Sequence, residues 1–307
     1  MFRDPILRLT TLCAITAFLV LPTNLPAQSG TSPAPQQSAA QTPKKKVTSA
    51  KPAAPPPPSL EPRAMDILKA AGARLAGAHT IAFTATETFE SLSRQGVPLV
   101  YANRSEVTLE RPNKLRVIMT GDGPASEFYY DGKVMMAYAP VENLVAVADA
   151  PSTIDKTLEQ IYHSAGIYFP FTDLIVADPY GDLAPGLQHV YYVGQSNLVG
   201  GTTTDIVACA GNGLFMQVWI GADDKLPRGI HAIYLDDPDR LRHNLILTDW
   251  QIDSPVAAEA FTTAKASSAK KMPFAHPHPE PAPGARPPVK SASPKQSQSS
   301  ATPPQSH

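Results

Sequence analysis

Leu214 to Asp253 reads LFMQVWIGADDKLPRGIHAIYLDDPDRLRHNLILTDWQID, three apolar runs separated by turn chemistry. LFMQVWI is rich in β-branched, aromatic and long apolar residues and stops at GADDKLPRG. GIHAIYL breaks off at Asp236, Asp237, Pro238 and Asp239, and NLILTDWQI follows at once. Runs of this size bounded by Gly, Asp and Pro clusters predict strands in an antiparallel meander rather than helices. No catalytic motif lies in the stretch, so it speaks for an architecture before it speaks for a chemistry.

The same pattern extends upstream. Gln188 to Ser196 and Thr202 to Ala210 are strand-like. From Thr80 the period is two: Ile81, Phe83, Ala85 and Phe89 share one face and Thr84, Thr86, Thr88 and Glu90 the other, with Glu87 in the apolar register. After a turn at Ser93 to Gly96, Leu99, Tyr101, Val107 and Leu109 share a face with Asn103 and Ser105, opposite Arg104, Glu106, Thr108 and Glu110. Leu115, Val117 and Met119 alternate against Arg116 and Thr120. In SEFYYDGKVMMAYAP, Asp131-Gly132 predicts a two-residue hairpin turn with both centres at positive φ. Leu144 to Ala148 adds another strand. The total is about eleven strands, mostly without a parallel crossover helix between them, which predicts a long, curved antiparallel sheet in a mainly β (α+β) domain.

Two segments have helical period. Ser59 is read as the N-cap of LEPRAMDILKAAGARLAG, whose Met65, Leu68 and Leu75, with Ile67, Ala71 and Ala78, make a stripe to lie on the sheet. STIDKTLEQIYHSAG starts at Ser152 or Thr153 and spaces Ile154, Leu158 and Ile161 on one side. YFPFTDLIVADPYGDL, interrupted by Pro170 and Pro179, follows it. These two elements fall in the middle of a β-rich chain, where they are placed to form a lid.

The ends have a different composition. Of 33 prolines in 307 residues, those from Pro5 to Pro58 and from Pro273 to Pro304 lie in stretches almost devoid of periodic apolar residues. Residues 1–27 combine Arg3 and Arg8, the apolar run Leu9 to Leu21 and a cleavage position after Ala27, which predicts a secretory signal and a periplasmic address. The run is short for a bilayer span, which needs about 20 residues. Residues 28–59 read as a Pro/Ala/Lys-rich disordered linker, residues 60–263 as one folded domain and residues 264–307 as a basic, Pro/Ser-rich disordered tail. The net charge of -1 hides an acidic middle flanked by basic ends, including Lys44, Lys45, Lys46, Lys270, Lys271 and Lys290. An acidic domain argues against nucleic acid as partner. The basic ends are either solvated spacers or contacts for an envelope protein or the cell wall.

Reactive chemistry is not evident. There is no GxSxG elbow, GNG at Gly211 to Gly213 sits between strands, and the eight His residues lack paired metal spacing. DDPD at Asp236 to Asp239 has neither the Gly nor the bidentate Glu of a calcium loop. His276 and His278 alone make a weak metal site. Cys13 lies in the apolar leader, so after cleavage Cys209 has no partner for an intramolecular disulfide and reads as a small core hydrophobe. These readings predict no enzyme and no cofactor.

VWIGADDKLPRGIHAIY followed by NLILTDWQIDSPVAAEAF resembles the closing third of the LolA/LolB-type lipoprotein-carrier superfamily. The matching positions are Trp219, Asp223 or Asp224, Leu226, Pro227, Arg228, Leu247 and Phe261. Leu60 to Phe261 as a whole is similar to a family of predicted bacterial periplasmic proteins of unknown function. The resemblance implies a half-barrel closed by a few helices over an apolar cavity that holds a lipid or lipoprotein acyl chain, or senses one. Candidates to line such a cavity are Phe83, Phe89, Tyr101, Val117, Met119, Phe128, Tyr130, Met136, Tyr138 and Trp219. If nothing enters, the same residues make a dry core. Glu87 and Asn103, in apolar registers, either hydrogen-bond each other or mark a polar mouth; Arg104 and Arg116 are mouth candidates by strand position. The basic ends depart from the carrier pattern.

Overall fold

The computed structural model describes residues 59–275, which form a single curved, open sheet of thirteen strands with helices packed on one face. The signal segment, most of the linker, and His276 and His278 lie outside the described residues. The strands are β1 (Ser59–Leu60), β2 (Thr80–Leu92), β3 (Pro98–Glu110), β4 (Lys114–Gly121), β5 (Ser126–Tyr130), β6 (Val134–Ala139) and β7 (Leu144–Asp149). Beyond the lid come β8 (His189–Ser196), β9 (Thr204–Gly211), β10 (Leu214–Gly221), β11 (Pro227–Tyr234), β12 (Arg242–Ile252) and β13 (Lys270–Met272). The helices are α1 (Pro62–Ala76), α2 (Ile154–Ala165), α3 (Thr172–Ile175) and α4 (Pro179–Leu183).

Across the sheet the order is β1-β8-β9-β10-β11-β12-β2-β3-β4-β5-β6-β7-β13. β2 to β12 are the eleven strands the sequence predicts, each pair antiparallel; the two additions are short parallel edge strands, β1 on β8 and β13 on β7. The two meanders join where β12 pairs with β2 in the middle of the sheet. That order puts β7 and β8 at opposite sides, so the connection between them must cross the whole sheet. It does so over the inner face, where its Ile154, Leu158, Ile161, Phe169, Phe171 and Ile175 are 0–5% exposed. They close over Ile81, Phe83, Val107, Leu109, Leu115, Val117, Tyr130, Met135 and Leu247.

α1 covers the other half of the same face, setting Ala64, Leu68 and Ala71 against Val190, Val207, Cys209, Val218 and Ile220. Gly72 is where α1 meets α4: a Cβ there would stand 2.6 Å from the Tyr180 Cβ, so the close approach needs a residue without a side chain. α2 begins as the sequence predicts, with Thr153 Oγ1 accepting from the Lys156 N–H at 3.3 Å, and ends at Gly166 in the left-handed region (φ 67°).

Several expectations are corrected. Ser59 does not cap α1; its N–H donates to Gln188 O (2.8 Å) as part of β1, and Glu61 occupies the cap position with its carboxylate accepting from the Tyr192 N–H (2.8 Å). The hairpin after β5 turns on Gly132 and Lys133, not on Asp131-Gly132. Asp131 N–H donates to Val134 O, only Gly132 has positive φ (96°), and the Asp131 carboxylate accepts from the N–H groups of Lys133 and Val134. Residue 263 is not the end of the folded chain: Ala266 is buried, β13 pairs with β7, and Phe274 packs on the core.

Candidate functional site

The inner face has a filled end and an open end. At the filled end Phe83, Val117, Phe128 and Tyr130 are only 0–4% exposed. Phe171 meets Phe83 edge-on (5.6 Å, 88°), Phe169 meets Phe128 (5.6 Å, 62°), and Phe169 and Phe171 stack on each other (5.6 Å, 9°). Trp250 stacks on the other side of Phe83 (4.6 Å, 26°) while its Nε1–H donates to Pro227 O (2.9 Å). A β-bulge between Thr248 and Gln251, with Asp249 at φ 57°, turns Trp250 to this face. These four lining candidates are packed by protein side chains, the dry-core alternative.

At the open end Phe89, Tyr101 and Met119 are half-buried. Phe89 stacks on Tyr101 (5.7 Å, 23°) and meets the His243 ring at 5.7 Å. Glu87, 8% exposed, stands directly across β2 and β3 from Asn103, yet its hydrogen bond is to His243 Nε2 on β12. Tyr162 and Tyr168 look onto this region from the lid, their rings 6.5 Å apart. Tyr168 (47% exposed) and Asp173 both keep solvent-exposed surface. The loss of water raises the Tyr168 phenol well above the ordinary tyrosine range, with Asp173, Tyr234, Glu87 and Tyr162 adding to the shift. Desolvation, then Asp182, raises the Asp173 carboxyl; desolvation, then Glu87 and Asp173, raises Tyr234. The open end is therefore an aromatic patch edged by acidic and phenolic groups, in which Glu87 is bonded to His243 and Asn103 stands across from it.

The remaining candidates face away. Met136 and Tyr138 pair with Tyr129 and Glu127 and so share their face; Tyr138 clusters with Val145 and Ala266 under the C-terminal segment, and Met136 packs against that cluster. Their neighbours Met135 and Ala137 are the residues that face the core. Arg104 pairs weakly with Glu106 (4.0 Å) with both side chains more than half exposed, and Arg116 sits opposite Tyr129. Trp219 alternates with the inward Val218 and Ile220 and lies on the outer face across from Gly229. Strand alternation puts these five residues outside the inner face.

Three features carry no periodic signal and escape sequence reading. Arg111 donates to the carbonyls of Ile175 (3.2 Å) and Val176 (2.8 Å), with Leu75 O at 3.4 Å, tying α1 and α3 to the end of β3. Burial pulls its guanidinium down and Asp155 opposes that shift. Phe169 and Phe171 seal the filled end, and His243 takes the Glu87 carboxylate. The Leu226-Pro227-Arg228 turn is built as its chemistry suggests: Asp224 accepts from the Leu226 N–H (3.1 Å) and pairs with Arg228, while Leu226 enters the core. Among the described residues, no group of three or more His, Cys, Asp and Glu side chains is placed to hold a metal.

No curated protein matches the chain. Solved structures similar to it include a chain of the Pseudomonas aeruginosa MucA/MucB complex, at 16% identity and TM-score 0.39, covering 66% of this chain and 62% of that one. A LolA superfamily protein from Nitrosomonas europaea matches at 9% identity and TM-score 0.28, covering 65% of this chain and 97% of that one. The chain thus spans less than two thirds of the length of the Pseudomonas protein. The profile of a family described as "Predicted periplasmic protein (DUF2092)" matches residues 64–275, the described domain almost from end to end, and the chain belongs to that family.

Proposed function

We propose that the protein is a non-enzymatic periplasmic binding protein that holds the acyl chain of a lipid, lipoprotein or other amphiphile against the open end of its inner face. The observation that carries this reading is the half-exposed stack of Phe89 and Tyr101, with Met119 further along the same face, continuing the apolar inner face past the point where Phe169 and Phe171 close it. An apolar floor with a few polar groups at its edge suits an amphiphile: the chain lies on the aromatics and the head group meets Glu87, His243, Tyr168 and Tyr234. Met119 can adapt to chains of different shape. Binding of a fluorescent fatty acyl probe tests this. Phe89→Ala with Tyr101→Ala should weaken uptake about tenfold, equivalent to about 1.4 kcal/mol of apolar contact. Unchanged uptake by a folded double variant contradicts the reading.

A sensor or scaffold role has one feature of its own. The β2–β3 hairpin continues past its last pairings with β12 and β4, at Phe89 and Asn103. Its end exposes Leu92 (40%), Val97 (59%), Leu99 (46%) and Val100 (66%). Such a patch suits a protein contact, with the basic ends of the chain adding attraction to an envelope protein or the cell wall. Val97→Ser with Val100→Ser should then abolish partner cross-linking in the envelope and leave acyl-probe uptake intact. Retained cross-linking removes this second reading.

A further inference from the structure

The outer face carries a recess of about 320 Å³ across β10, β11 and β12, which the acyl-chain reading does not use. Its polar lining is a row set by strand register: Gln217 on β10 pairs with His231 on β11, which pairs with Asn244 on β12. The row is locked at one end, because Asn244 Nδ2–H donates to Thr88 Oγ1 (3.2 Å) and Asn244 Oδ1 lies 2.6 Å from His231 Nδ1. With Asn244 Oδ1 accepting, His231 Nδ1 carries a proton and Nε2 is left for another partner. One step along the strands, Trp219 stands across from Gly229, so no β11 side chain opposes the indole. A Cβ at Gly229 would come within 3.2 Å of Val199 Cγ1 and 3.5 Å of Trp219 Cε3; the glycine lets the Val199 side chain and the indole edge settle over it.

The lining therefore combines an indole ring, a planar amide with donor and acceptor, and an imidazole. His231 aside, it holds no ionisable side chain. That combination selects among ligand classes. A phosphate or carboxylate finds no cation. An acyl chain leaves the polar row unpaired, which costs about 1–3 kcal/mol per stranded group. Sugar hydroxyls both donate and accept, and the C–H face of a pyranose presents slightly positive hydrogens to the negative face of an indole. A recess of this volume is at the small end of ligand sites, room for one or two rings. We propose that this recess is a binding site for an uncharged saccharide, with Trp219 as the stacking platform and Gln217 and His231 as the hydroxyl partners.

The test titrates the full chain with N,N′,N″-triacetylchitotriose, cellotriose and maltotriose, following the Trp219 indole N–H by NMR, with adenosine as a planar heteroaromatic control. Trp250, half-buried against Phe83, reports whether the fold is kept. The expected result is saturable binding of at least one trisaccharide, weakened about tenfold by Gln217→Ala and lost in Trp219→Ala, with the Trp250 signal and the thermal midpoint unchanged. The proposal is overturned if none of the three sugars saturates, if binding survives Trp219→Ala, or if adenosine binds and the sugars do not. It is equally overturned if Trp219→Ala shifts a monomer–dimer equilibrium, because the face would then be an interface between copies.

Discussion

Arg111 shows how a single residue can hold elements far apart in sequence. Its guanidinium reaches carbonyls at Leu75, Ile175 and Val176, the ends of α1 and α3, where backbone oxygens lack helical partners. Nothing in ERPNK announces this, because its partners are 36, 64 and 65 residues away. Arg111→Met should cost about 2–3 kcal/mol, since it strands several buried acceptors at once; urea unfolding monitored by circular dichroism measures it. Cys209, in contrast, is what its apolar context predicts: fully buried under α1. Burial pushes its thiol up to about 11, so the folded state keeps the proton longer than the unfolded chain does. Its contribution to stability is present in full below the ordinary value of 9.0 and is lost as pH rises through about 11. The native protein should not react with iodoacetamide at pH 8, whereas the urea-unfolded chain should react completely; labelling followed by mass spectrometry distinguishes the two.

At the scale of elements, β2 to β12 follow from alternation and turn residues, because a strand with one buried face writes its period into the sequence. Which face each strand presents was legible only where a partner fixed it. Phe128 and Tyr130 pair with Ala137 and Met135, so Met136 and Tyr138 had to face outward, a conclusion already contained in the Asp131-Gly132 turn, because moving a two-residue turn by one position leaves the parity of the pairing unchanged. The bulge that brings Trp250 inward, and the alternation that sends Trp219 out, depend on long-range register that no local pattern encodes. The short edge strands were missed for a related reason: two or three residues carry no period, and their stability comes from the sheet they join. Truncation after Thr263 should therefore destabilise the domain by about 1–3 kcal/mol, from lost burial of Ala266 and Phe274, seen as a lower thermal midpoint. Thr153→Ala should cost about 1 kcal/mol by removing the cap of α2, a smaller shift by the same measurement.

For the whole molecule, the order of the strands explains the placement of the open end. Because β7 and β8 lie on opposite sides of the sheet, the lid crosses the inner face once. It seals the region around Phe83 and Phe128 and leaves Phe89, Tyr101 and Met119 uncovered beside the acidic and phenolic rim. The resemblance named the container; the division into a filled core and an open patch emerged only from packing, since a Phe in a core and a Phe beneath a ligand look alike in sequence. On the proposed function, the open patch holds an acyl chain. Native mass spectrometry of the protein purified from periplasm, with solvent extraction of the same sample, tests it most directly. The expected result is a bound species of discrete mass that extracts as an acyl-bearing lipid or lipoprotein fragment and is depleted in the Phe89→Ala, Tyr101→Ala variant. A protein that flies only at its own mass, yields no extractable lipid and takes up no acyl probe on incubation would contradict it.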